Sequence, residues 1–100
     1  MLYITQLIYI KEGFEETFHQ FEEIAIPAIS KYNGQLLLRM RPNEASIIDA
    51  HIEKPYEIHI ARFESDSDFE DFMQDEERKR FLHLKEKSIR SILLIKGRNI

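Results

Sequence analysis

The sequence predicts an α+β domain in which one four-stranded antiparallel sheet carries its helices on a single face. Three observations predict it. Apolar residues alternate in short segments near both ends and in the middle of the chain; they recur every three to four residues in the stretches between; and the two periodicities follow the order strand, helix, strand, strand, helix, strand. With right-handed crossovers that order gives the ferredoxin-like βαββαβ topology, strand order 4-1-3-2. One hundred residues make one domain, residues 1–100, with a modest core.

The first strand is predicted over Leu2 to Ile10, with Leu2, Ile4, Ile8 and Ile10 on one face and Tyr3, Leu7 and Tyr9 on the other. Both faces are apolar, so both need a cover. After Gly13 the spacing of Phe14, Phe18, Phe21, Ala25, Ala28 and Tyr32 is that of a helical stripe, opened by Glu15 and Glu16 at the positive end of the helix dipole. Asn33-Gly34 ends it, with the glycine expected in the left-handed conformation, and Pro27 is expected to kink it near its middle. Gln35 to Arg41 reads as the second strand, with Leu36, Leu38 and Met40 on one face and Leu37, Arg39 and Arg41 on the other. A turn at Arg41-Pro42-Asn43-Glu44 leads into a short return strand over Ala45 to Ile52, a hairpin arm.

Tyr56 to Phe63 is the third strand of the sheet, with Ile58 and Ile60 opposite Glu57, His59, Ala61 and Phe63. Ser67 and Glu70 have capping-box spacing, and Phe69, Phe72 and Met73 form the buried stripe of the helix they open. A further helical piece over Asp75 to Lys87 turns Phe81, Leu82 and Leu84 inward, and Ile89 to Lys96 closes the sheet, again apolar on both faces. Two helices cover only one face. The apolar surface left over, in a chain with fifteen Ile and no Val, predicts a homodimer in which two sheets pack face to face.

Composition narrows the classes of function. At 43 % hydrophobic and 32 % charged the chain reads as globular, without an apolar run long enough to span a membrane and without the basic opening of a secretory signal. The absence of Cys removes disulfides and cysteine nucleophiles and fits a reducing, cytoplasmic setting. A net charge of −4 argues against nucleic acid as a partner. The basic residues Arg78, Lys79, Arg80, Lys85 and Lys87 alternate with Glu76, Glu77 and Glu86, the pattern of a solvated helix face. Leu2 to Leu7 imitates the first-strand signature of an RNA-recognition motif, yet the third strand lacks the glycine and alternating aromatics that complete it.

Several segments together resemble a known superfamily. Ile26-Pro27-Ala28 with Tyr32-Asn33-Gly34-Gln35-Leu36, the strand Tyr56 to Ser65, and Phe69 to Phe72 followed by Asp75-Glu76-Glu77-Arg78 resemble the dimeric α+β barrels, and within them small bacterial proteins related to antibiotic biosynthesis monooxygenases and NIPSNAP-like proteins. The resemblance implies a dimeric α+β barrel and, as one reading of activity, a cofactor-independent monooxygenase or related enzyme acting on an aromatic or enolisable substrate. No Trp is present, and no motif carries over residue by residue to a catalytic role.

His59 is the first candidate site residue, because it lies mid-strand between Ile58 and Ile60. Arg39, on the neighbouring strand, and Tyr9 or Gln6, on the other neighbour, are expected to converge with it in a ligand pocket between sheet and helices. Imidazole, guanidinium and phenol together suit an anionic or enolate-like ligand. No cofactor is called for. No metal site is expected, since His19 and Glu23, one turn apart, find no third ligand at a determined spacing and Gln20 and Glu22 point to a solvent face. His51 and His83 read as surface residues, and no serine sits in a nucleophile elbow. The function expected is binding of a small organic ligand.

Overall fold

The structure, a computed structural model, describes residues 1–99. Strands β1 (Leu2–Ile10), β2 (Gly34–Met40), β3 (Glu57–Phe63) and β4 (Ile89–Gly97) form one antiparallel sheet in the order β2-β3-β1-β4. Helices α1 (Glu15–Ala28), α2 (Asp66–Met73), α3 (Glu76–Arg80) and α4 (Leu82–Ser88) complete the βαββαβ order. The Cα trace spans 36 × 35 × 16 Å, the depth of one sheet and one helical layer. Its accessible surface of 6632 Å² exceeds the roughly 6,000 Å² usual for this mass. A flat two-layer slab with one uncovered sheet face accounts for the difference.

Alternation decides which side chains the helices cover. Leu2, Ile4 and Ile8 of β1 and Glu57, His59, Ala61 and Phe63 of β3 are buried, while Tyr3, Thr5, Leu7, Ile58 and Ile60 on the opposite face are only half-buried. Phe63 anchors the main core cluster, its ring 5.4 Å from that of Phe69 and 5.5 Å from that of Phe72. Leu38, Met40, Leu93 and Ile95 lie on the open face and are 43 %, 38 %, 49 % and 49 % exposed.

Several local expectations are corrected. A β-bulge between Leu36 and Leu38 shifts the register of β2, so Leu36 shares the helix-facing side with Arg39, while Leu38 and Met40 turn to the open face. The left-handed residue at the end of the first helical segment is Asn33, at φ 57°, and not Gly34. Gly34 is needed for space instead: a Cβ there would stand 2.6 Å from Phe63 Cε1 and 2.8 Å from Ile29 Cγ2. Pro27 falls in the last turn of α1, which tightens into a 3₁₀ turn over Ile29–Tyr32, so the loss of its N–H does not interrupt a long helix. The cap of α2 is Ser65, whose Oγ accepts from the Asp68 N–H, and Ser67 lies inside the helix. No strand forms over 45–52; Glu44–Ser46 is a 3₁₀ turn capped by Asn43, and the connection to β3 is a loop. The last helical stretch breaks at Phe81 into α3 and α4.

Candidate functional site

Between the sheet and the helices lies a cavity of about 60 Å³. Ile4 and Ile8 of β1, Phe21 and Ala25 of α1 and Phe72 of α2 make most of its wall apolar. Five polar side chains enter it: Gln6, Glu22, His59, Arg78 and Lys85. Each comes from a different element, placed by a different rule of local structure. Gln6 and His59 are cross-strand partners in the β1·β3 ladder and therefore share a face. Glu22 falls on the buried stripe of α1 with Phe18, Phe21, Ala25 and Ala28. Arg78 lies in the first turn of α3, where its backbone N–H donates to the capping carboxylate of Asp75, and Lys85 projects from α4.

The centre of the site is a carboxylate–imidazole pair. His59 Nε2 lies 2.5 Å from Glu57 Oε2, and its Nδ1 lies 3.8 Å from Glu22 Oε2. Glu57 is fully buried and receives Arg39 Nε at 3.0 Å and Arg41 Nε at 2.8 Å. Burial would raise its pKa, but the hydrogen bonds from His59, Arg39 and Arg41 outweigh it and hold the carboxyl down at about 2. An ionised carboxylate only accepts, so His59 Nε2 is the donor to Glu57, and Nδ1 is the ring nitrogen that faces Glu22.

Glu22 behaves in the opposite way. Burial, opposed by the nearby His59 charge and assisted by that of Glu57, pushes its pKa up to about 7. Two carboxyls that share one imidazole are thus separated by environment, one ionised and one on the edge of ionisation at neutral pH. Glu22, Glu57 and His59 offer ligand atoms within 4.8 Å of one another, a spacing compatible with a cation. The two guanidinium groups on Glu57 already neutralise it and oppose a further positive charge.

The residues expected at this site meet different fates. His59 is buried on the helix side, 7 % exposed, and Gln6 faces the cavity beside it. Arg39 pairs with His59 across the ladder, yet its guanidinium turns to Glu57, where it positions the pair and does not line the cavity. Tyr9 is not brought to the site: it points to the open face, where its hydroxyl donates to the Glu53 carbonyl at 2.8 Å and Arg90 covers its ring. Glu22 and Arg78, read from sequence as solvent-facing, are buried. Their helical positions carried the signal, since Glu22 is four residues after Phe18 and three before Ala25, and Arg78 precedes Phe81 and Leu82 by three and four. His19 sits outside the cavity with its Nε2 at 2.7 Å from the Tyr56 hydroxyl and 3.1 Å from Arg41 Nη2, while His51 and His83 are exposed.

No family model and no curated protein matches the chain. Solved structures do. A Rhodopseudomonas palustris protein of unknown function superposes with a TM-score of 0.82 at 12 % identity, covering 99 % of this chain and 82 % of the other. A NIPSNAP family protein of unknown function from Agrobacterium tumefaciens gives 0.70 at 20 % identity, over 97 % and 86 % of the two chains. A Nitrosomonas europaea protein described as "Putative antibiotic biosynthesis monooxygenase" gives 0.76 at 6 % identity, over 100 % and 99 %. The chain has the fold these proteins share. That NIPSNAP-type fold agrees with the resemblance seen in the sequence, and at these identities the agreement extends to architecture alone.

Proposed function

We propose that the protein binds a small organic ligand in the cavity between sheet and helices, and that it does so as a homodimer whose open sheet faces meet. The observation that carries the first part is the convergence of Gln6, Glu22, His59 and Arg78 on a space whose walls are otherwise apolar. A few polar groups aimed into an apolar cavity are how small-molecule sites obtain orientation. The volume is a fraction of that of a drug-sized pocket, so the ligand is small. The second part draws on the open face, where Leu38, Met40, Leu93 and Ile95 would remain in water in a monomer.

Ligand binding is tested by a thermal-shift screen of small neutral and acidic organic molecules against the natural chain and His59→Ala. The expected result is a concentration-dependent rise in Tm for at least one compound that is lost in the variant. An identical rise in His59→Ala would remove His59 from the site.

A second reading, cofactor-independent chemistry on an enolisable or aromatic substrate, is favoured by one specific observation: Glu22, pushed up to about 7, stands beside an imidazole whose far nitrogen is held by Glu57. A base poised near the working pH, in a space with little water, is what abstraction of a proton next to a carbonyl requires. Deuterium exchange at the α-carbon of acetoacetate, followed by NMR, tests it. Exchange no faster than in buffer at saturating protein would rule this chemistry out for that substrate class.

A further inference from the structure

Resting on the reading of the cavity as a ligand site, we propose that its ligand is a small monocarboxylate, with the carboxylate received by Arg78 and Lys85 and the apolar tail against Phe21 and Ile4. Arg78 is 6 % exposed, and its guanidinium carbon lies 5.7 Å and 5.3 Å from the ring centres of Phe21 and Phe72. One of its terminal nitrogens donates to the Met73 carbonyl at 3.2 Å. Neither Arg78 nor Lys85 makes an ion pair among the described residues.

A guanidinium and an ammonium that both line one largely apolar cavity call for an anion. Burial lowers the pKa of each, with Arg78 adding to the effect on Lys85, and the nearby carboxylates offset it only in part. The charged groups that face them are Glu22 of α1, which acts on both, Asp75 at the cap of α3, which acts on Arg78, and Glu86 of α4, which acts on Lys85. Glu57 is occupied by Arg39 and Arg41, Asp75 by the Tyr32 hydroxyl and the Arg78 backbone N–H, and Glu86 is exposed; protonation of Glu22 removes the one carboxylate charge that lines the cavity itself.

The volume sets the size. About 60 Å³ holds on the order of four to six water-sized groups. That matches a short branched or straight acid and is too small for a nucleotide. The largely apolar lining argues against inorganic phosphate, which has no apolar part to place there.

The test is an NMR titration of the 15N-labelled protein at pH 6.5 with isobutyrate, its neutral isostere isobutyramide, and inorganic phosphate. Isobutyrate is expected to shift the amides of Ile4, Phe21 and Phe72 and to saturate at a concentration about tenfold below isobutyramide, with phosphate weaker than isobutyrate. Lys85→Gln, at a half-buried position without a hydrogen-bond partner of its own, is expected to reduce that preference severalfold while the remaining spectrum stays unchanged. Equal affinity for acid and amide, phosphate binding as tightly as isobutyrate, or an undiminished preference in Lys85→Gln would overturn the anion assignment and leave the ligand cavity standing. If neither isobutyrate nor isobutyramide shifts the cavity amides, the monocarboxylate assignment falls, and the ligand-binding reading is decided by the thermal-shift screen.

Discussion

Glu22 and Glu57 depend on pH in opposite senses, although both are glutamates around one histidine. The pKa of Glu22 is raised from 4.5 to about 7, so between those values the folded chain keeps a proton that the unfolded chain has lost. Its contribution is therefore full below pH 4.5 and declines as pH rises, by about 3 kcal/mol in all. Glu57, lowered to about 2, contributes fully above pH 4.5 and loses that contribution as pH falls toward 2. Urea denaturation across pH 5 to 8 is expected to show Glu22→Gln gaining stability relative to the natural chain as pH rises, by up to about 3 kcal/mol. A difference that stays constant over that range would mean that Glu22 is ionised throughout. At Glu57 the neutral substitution acts in the other direction. Glu57→Gln leaves Arg39 and Arg41 without their shared carboxylate and is expected to cost about 3 kcal/mol near neutral pH, read as a lower urea midpoint with unchanged slope.

At the scale of elements, alternation in β1, β3 and β4 was legible because both ladders run in register over the site, so period two alone separates Ile58 and Ile60 from Glu57 and His59. β2 was not legible to the same degree. Its bulge at Leu37 adds one residue, and one residue exchanges the two faces beyond it, a shift that no apolar pattern in Leu36-Leu37-Leu38 announces. The bulge matters for the site because it keeps Arg39 on the helix side, opposite His59, while Leu36 stays in the core. The start of β2 carries a second constraint invisible in sequence, the approach of Phe63 and Ile29 to Gly34. Gly34→Ala is expected to lower stability by about 1–3 kcal/mol through overpacking, and a calorimetric Tm within a degree of the natural chain would show that Phe63 yields without cost.

For the whole molecule, the open sheet face is the largest feature that the isolated chain leaves without an explanation. Leu38 and Met40 at one edge and Leu93 and Ile95 at the other flank the half-buried Ile58, Ile60 and Leu7, an apolar surface that runs across all four strands. Sedimentation of the natural chain at micromolar concentration is expected to give a dimer. Ile60→Glu, near the middle of that face and away from the helices, is expected to give a folded monomer with the same circular dichroism. A natural chain that sediments as a monomer would refute face-to-face pairing. Because the cavity lies on the other side of the sheet, the variant is expected to retain ligand affinity, which separates assembly from binding.

By itself the sequence determined the element order, the sheet topology and the sharing of one strand face by His59 and Glu57, because these follow from periodicity and chain connectivity. Only the tertiary structure decided that the face of His59 and Glu57 is the helix-covered one, that Glu22 and Arg78 are inside, that Arg39 serves Glu57, and that Tyr9 lies on the opposite face. The physical reason is that burial of a charged side chain depends on what stands across from it. Glu22 can leave water because His59 approaches it from β3, and Glu57 because Arg39 and Arg41 reach it from β2 and the loop beyond, partners separated in the chain by tens of residues that the sheet brings within hydrogen-bonding reach.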